Sequence, residues 1–230
     1  MKVRVGSFLL LLLFVGGGVA SAEVIVDLKT ENEDSGWSVI LADDVYSGVV
    51  VDAITDTYVR IEIAKTFSQG PEGGQFPANL IEFYQRAGDV DPLPVIQITS
   101  EAVTNDTGWD WTDYHWEIIG DDAAFDKTST ETSGFSIDPF TRSLWGAAPA
   151  GWSSDHSASL DVDGGVVHDG ETFFPGSVQG RLYIDVDVTG SEPVSFVLKQ
   201  YPTPEPGTMA VLAGGAFILL MRPRRPRRVR

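Results

Sequence analysis

The stretch "TYVRIEIAKT" at 57–66 decides the fold class. Val59, Ile61 and Ile63 fall on one side of an extended chain, and Arg60 and Glu62 fall on the other. Successive strand side chains point to opposite faces, so apolar residues spaced by two mark a half-buried strand rather than a helix. The same period recurs along the chain. In "RLYIDVDV" (181–188) Leu182, Ile184, Val186 and Val188 alternate with Arg181, Tyr183, Asp185 and Asp187. "VSFVLKQY" (194–201) places Val194, Phe196 and Leu198 together, and "EVIVDLK" (23–29) does so for Val24, Val26 and Leu28. Clusters rich in Gly, Pro, Asn and Asp separate these runs, among them "SQGPEGGQFP" (68–77), "GDVDPLP" (88–94) and "TNDTG" (104–108). Helical spacing is scarce. "ANLIEFYQRAG" (78–88) fits a few helical turns ending at Gly88 as well as it fits a strand. Residues 120–180 have weak periodicity and read as long loops joining short strands. Many short strands between turn signals predict a mainly β fold: a single antiparallel β-sandwich, jelly-roll or immunoglobulin-like, rather than a parallel sheet.

Composition sets this domain apart from the two ends of the chain. Of the 230 residues, 16 are basic and 33 acidic; eight of the basic and 32 of the acidic residues lie between 23 and 203, giving the middle a net charge of −24. A surface so acidic repels nucleic acid and anionic lipid, and excludes nucleic acid as a partner. The chain has no cysteine, which removes thiol chemistry, disulfides and Cys-based metal sites together. A domain of this size has enough core to stand without disulfides.

The ends read as addresses. Lys2 and Arg4 precede an unbroken apolar run at 8–15, and Ala20-Ser21-Ala22 offers the small residues of a cleavage site at Ala20 and Ala22. Residues 1–22 are therefore expected to be a secretory signal helix, handled by the Sec export machinery and signal peptidase. The tail, "TPEPGTMAVLAGGAFILLMRPRRPRRVR" (203–230), has an apolar run of only 13 residues at 209–221. As a helix it rises about 20 Å against a hydrocarbon core of about 30 Å, which predicts a short membrane helix of marginal hold. Arg222, Arg224, Arg225, Arg227, Arg228 and Arg230 form a stop-transfer cluster that stays cytoplasmic. Pro204, Glu205 and Pro206 would stand extended just outside the membrane, because proline disfavours helix there. The expected domains are the signal at 1–22, a β-sandwich ectodomain at 23–201 and the tail at 202–230.

"PEPGT" at 204–208, the short apolar run and the arginine cluster, in that order, resemble the PEP-CTERM sorting signal of bacterial surface proteins. The resemblance covers only the tail. It implies recognition of Pro204, Glu205 and Pro206 by an exosortase, a membrane protease-transpeptidase that cuts near the motif. It also implies transient anchoring in the inner membrane with the ectodomain outside, followed by residence at the cell surface or in an exopolysaccharide matrix. Pro223 and Pro226 interrupt the arginines here, which leaves a charge-based stop signal intact.

Within the ectodomain no motif specifies an activity. In "NDTGWDWTDYHWEII" (105–119) a strand would turn Tyr114, Trp116 and Ile118 inward and Asp113, His115 and Glu117 outward. Ligands two apart on a strand are about 7 Å apart, too far for one small ion without a neighbouring strand. Trp109 and Trp111 would share the polar face and could stack on sugars, as could the loop residues Trp145 and Trp152. "DVDGGVVHDGE" (161–171) offers Asp161, Asp163, Asp169 and Glu171 to calcium, but Val166 and Thr172 stand where an EF-hand loop needs Gly and Glu. No cofactor is expected beyond that calcium candidate. "WSSDHSAS" (152–159) gathers Ser153, Asp155 and His156, yet triads are assembled from separated loops, and no Gly-x-Ser-x-Gly elbow occurs. The expectation is a non-enzymatic exported protein. A carbohydrate-binding module acting on exopolysaccharide stands second, and a secreted hydrolase third.

Overall fold

In the computed structural model of the chain, residues 24–41, 46–88, 90–176 and 180–204 are described. Ala20, Ala22, the expected signal and membrane helices, Glu205, Pro206 and the six tail arginines lie outside them. Among the described residues no helix is long and apolar enough to cross a membrane.

The described chain is mainly β. In order it forms β1 (Val24–Lys29), β2 (Asp34–Leu41), β3 (Tyr46–Ile54), β4 (Tyr58–Phe67), β5 (Asn79–Gln85), β6 (Val95–Asn105), β7 (Trp111–Ile119), β8 (Ala123–Asp126), α1 (Lys127–Ser133), β9 (Arg142–Trp145), β10 (His156–Ser157), β11 (Ser159–Val167), β12 (Thr172–Phe173), β13 (Leu182–Val186) and β14 (Ser195–Pro204). One sheet has the order β1-β2-β5-β14-β7-β11-β9. The other runs β10-β8-β13-β6-β4-β3, with β12 also on β6. One apolar cluster joins the two sheets, drawing Val39, Phe83 and Phe196 from the first and Ile61, Ile98 and Ile184 from the second. The result is a sandwich-like arrangement around a shared core.

Among the described residues pairing is antiparallel with one exception: β4 and β6 run parallel over Tyr58–Phe67. The chain leaves β4, crosses to the first sheet as β5 and returns as β6, so a strand of the opposite sheet supplies the crossover that a parallel pair requires. Residues 79–85 are strand, not helix, with Asn79, Ile81 and Phe83 inward and Leu80 and Glu82 outward. The loop-rich region holds short strands as expected, together with the nine-residue β11 and the helix α1. Asp126 caps α1 by accepting from the Ser129 N–H at 2.8 Å, and Gly134 ends it at φ 76°. Both capping signals stand in the sequence, but a body of Ser and Thr has weak helix propensity and hides them.

In β4 the period of two holds: Val59, Ile61 and Ile63 are buried, and the same parity carries Lys65 and Phe67 inward. Bulges break parity elsewhere, in β6 and β7 among others. Ile61 pairs with Ile98 but Glu62 pairs with Ser100, so β6 has one extra residue at Thr99. Ile96 and Ile98 face the core before it, and Glu101, Val103 and Asn105 face the core after it. In β7 the partners of Asp113 and Trp111 skip Thr112 on both sides. That slip turns Trp111 to the buried face shared with Tyr114 and Trp116.

Candidate functional site

A cleft of about 540 Å³ opens at one end of the second sheet. Five segments build it: Pro94 and Val95 at the start of β6, Asp121 before β8, the loop at 150–152, the start of β10 at His156, and the end of β13 at 185–187. β8 lies between β10 and β13, bringing His156 and Asp185 to the same edge. The Trp152 indole packs on the His156 ring at 4.8 Å and is pinned by donating its Nε1–H to the Asp121 carbonyl at 3.0 Å. His156 Nε2 lies 3.1 Å from Asp185 Oδ2, and its Nδ1 lies 2.9 Å from Ser153 Oγ. Burial, with the nearby Asp126 charge adding to it, raises the Asp185 carboxyl above the ordinary value against the opposing pull of His156.

The cleft therefore combines a half-buried tryptophan face, the His156–Asp185 pair and the acidic residues Asp121 and Asp187, with Ser153 hydrogen-bonded to His156 from beside the lining. Ser153 and His156 belong to one tight turn, closed by the His156 N–H donating to the Ser153 carbonyl at 3.1 Å. Asp185, not the sequence neighbour Asp155, completes the relay. Only its outward place in the alternation of 181–188 hinted at availability; strand pairing alone brings it to His156.

A second polar group lies on the outer face of the first sheet. His115 on β7 sits 2.6 Å from Asp161 Oδ1 on β11 and stacks on Tyr201 of β14 at 4.8 Å. Its Nε2 is 3.5 Å from Asp113 Oδ1, close enough for charge attraction without forming a hydrogen bond. Asp113 Oδ1 instead accepts from the Thr203 N–H at 3.0 Å. Burial opposes charging of the His115 ring, but the two carboxylates outweigh it and hold its pKa above the ordinary value. Lys199 and Glu117 extend the strip with a 2.8 Å ion pair.

Trp111, expected at a sugar-binding face, is fully buried against Phe67, Phe76 and Tyr114. That expectation is corrected: the bulge at Thr112 reverses its side. Trp109 is half-buried against the core, its carbonyl held by Asn105 at 2.8 Å. Trp145 is half-buried and donates to Glu131 at 2.7 Å. The four residues offered to calcium are dispersed among separate partners: Asp161 on His115, Asp163 on Arg142, Asp169 on the Gly108 N–H and Glu171 on the His168 N–H. Among the described residues no three His, Asp or Glu side chains converge to hold a metal. Of the tail motif only Pro204 is described, at the end of β14 opposite Trp111.

Compared with protein-family models, with curated proteins and with solved structures, the chain matches none.

Proposed function

We propose that the chain is an exported surface or matrix protein. Residues 1–22 direct it out through the Sec machinery and signal peptidase, and the tail presents it to an exosortase-type protease-transpeptidase. The observation that carries this reading is the ordered tail: Pro204-Glu205-Pro206, 13 apolar residues too few for a firm anchor, then six arginines. A β14 that runs to Pro204 supports it, since the sheet carries the chain as far as the first residue of the motif. The test is the mature C-terminus, read by mass spectrometry from the native host with and without its sorting enzyme. Processing near residues 204–208 is expected only when the enzyme is present. A C-terminus intact through Arg230 in both strains overturns the reading.

The ectodomain is proposed to be a jelly roll rather than immunoglobulin-like. Support comes from β5, β6, β7, β8, β10, β11, β13 and β14, whose orders β5-β14-β7-β11 and β6-β13-β8-β10 are those of an eight-stranded double Greek key. Strands β1 to β4 widen both sheets on one side.

A second reading concerns the cleft. Trp152 flanked by carboxylates suits a carbohydrate whose ring stacks on the indole and whose hydroxyls donate to Asp121, Asp185 or Asp187. Trp152→Ala is expected to weaken binding of host exopolysaccharide roughly tenfold or more. Equal affinity of wild type and variant in calorimetry would remove the cleft from consideration. The Ser153–His156–Asp185 relay also favours hydrolysis of an ester group carried on such a ligand, where Ser Oγ can attack the acyl carbonyl and release the sugar hydroxyl. Ser153→Ala separates the two: a binding site keeps its affinity, whereas a hydrolase loses turnover.

A further inference from the structure

The core between the sheets contains a polar group that neither the sorting signal nor the cleft uses. Lys65 and Glu101 have side chains with 0% exposure, and Lys65 Nζ lies 3.4 Å from Glu101 Oε2. The same carboxylate accepts from Trp116 Nε1 at 3.2 Å and, through Oε1, from Gln200 Nε2 at 3.0 Å. Gln200 in turn accepts from the Tyr114 hydroxyl at 3.1 Å, and the Tyr114 ring lies 5.9 Å below the lysine nitrogen. Placing Glu101 inward requires the bulge at Thr99; unbroken alternation after Ile96 and Ile98 would turn it out. Such bulges commonly serve to re-aim one side chain.

Beside this group stands an amide with nothing to do. Asn79 is 1% exposed and lies directly opposite Gln200 in the β5–β14 register. Opposed residues on one face have Cβ atoms about 5 Å apart. Neither Asn79 Oδ1 nor Nδ2 has a hydrogen-bond partner. A native core rarely leaves both ends of a buried amide unpaired, because each lost hydrogen bond to water goes uncompensated. Among the described residues the other buried carboxamides have partners: Asn105 holds two carbonyls and Thr107, Gln97 accepts from Arg60, and Gln200 is paired as described.

We propose that Lys65 and Asn79 are joined by an intramolecular amide bond that bolts β4 of one sheet to β5 of the other, with Glu101 as the proton carrier. Glu101 takes a proton from the lysine ammonium, leaving a neutral amine. The Nζ lone pair attacks Asn79 Cγ, forming the C–N bond. Glu101, re-protonated and deprotonated in turn, returns protons to the departing nitrogen, and the Cγ–Nδ2 bond breaks to release one ammonia. Lysine amine plus asparagine amide gives one secondary amide plus ammonia, with no oxidant, reductant or co-reactant. Burial favours the first step: it pulls the Lys65 pKa down to about 8, although Glu101 works the other way. The product removes a buried charge and consumes the unpaired amide nitrogen. It also gives a cysteine-free exported domain a covalent cross-link that disulfides cannot supply.

Peptide mapping of the full protein tests this directly, because Lys65 and Asn79 fall in one stretch between Arg60 and Arg86. After denaturation and trypsin, the linked form yields residues 61–86 as a single peptide, uncut after Lys65 and lighter than its sequence by one ammonia. Fragmentation should show no breaks between positions 65 and 79. Recovery of separate 61–65 and 66–86 peptides at full mass overturns the proposal. Loss of ammonia with Lys65 still cut indicates a succinimide at Asn79 and overturns it equally. Glu101→Gln is expected to lose the linked peptide entirely; persistence of the link there would remove Glu101 from the role. Should that variant fail to fold, the wild-type digest alone decides whether the bond exists.

Discussion

Strand β7 presents charged and polar chemistry on both faces, and the two faces behave differently. Outward, His115 and Glu117 meet Asp161 and Lys199 in a strip that water reaches. Inward, Tyr114 and Trp116 close over Lys65 and Glu101, which water does not reach. The group types overlap, but the surroundings decide what each interaction is worth. Solvent screens the outer pairs, and holding long side chains costs entropy, so each contributes little. In the core, desolvation of each charge costs several kcal/mol, so until the proposed Lys65–Asn79 bond removes the charge the pair is tolerable only while every partner stays in place. The outer face can change with little consequence; the inner face cannot.

The sharpest way to break this contrast is Glu101→Ala. It strands Lys65 in the core and leaves Trp116 Nε1 and Gln200 Nε2 without their acceptor. A loss of about 3–5 kcal/mol is expected in chemical denaturation. A loss below about 1 kcal/mol, the range of a surface pair, would erase the distinction between the faces.

His115 should matter less, and only at lower pH. Its folded pKa is raised, so the stability it contributes is fully present below the unfolded value of about 6.5 and disappears as pH rises through the folded value. His115→Gln should therefore be destabilising by at most about 1 kcal/mol near pH 5.5 and close to neutral near pH 8. Thermal melts of both proteins across that window check it, and a gap that widens with pH would contradict the assignment.

The smallest effect belongs to Lys199 and Glu117. Lys199→Ala should cost only a few tenths of a kcal/mol, and high salt should shrink that further. A loss comparable to that of Glu101→Ala would mean that the outer strip is structural after all.

Strand parity could be read from residues 57–66, 181–188 and 194–201, because a period of two is local and each run shows it unaided. Parity also carried Tyr114, Trp116 and Ile118 inward as expected. It failed at Trp111 and gave no warning of Glu101, since a bulge is set by pairing with strands far away in sequence. The cleft was hidden for the same reason: Trp152, Ser153 and His156 are neighbours in sequence, but Asp185 reaches them only through β8.

By itself the sequence determined a mainly β middle domain without cysteine, its acidity, and the apolar and arginine blocks of the tail, all of which depend on composition and short-range order. Tertiary structure alone decided which carboxylate meets which histidine. It also decided that the inward parity of β4 would deliver Lys65 to a carboxylate, and that a fully buried asparagine would stand opposite Gln200. Those are encounters between strands far apart in sequence, fixed by register and bulges, and a period of two carries no record of the partner strand.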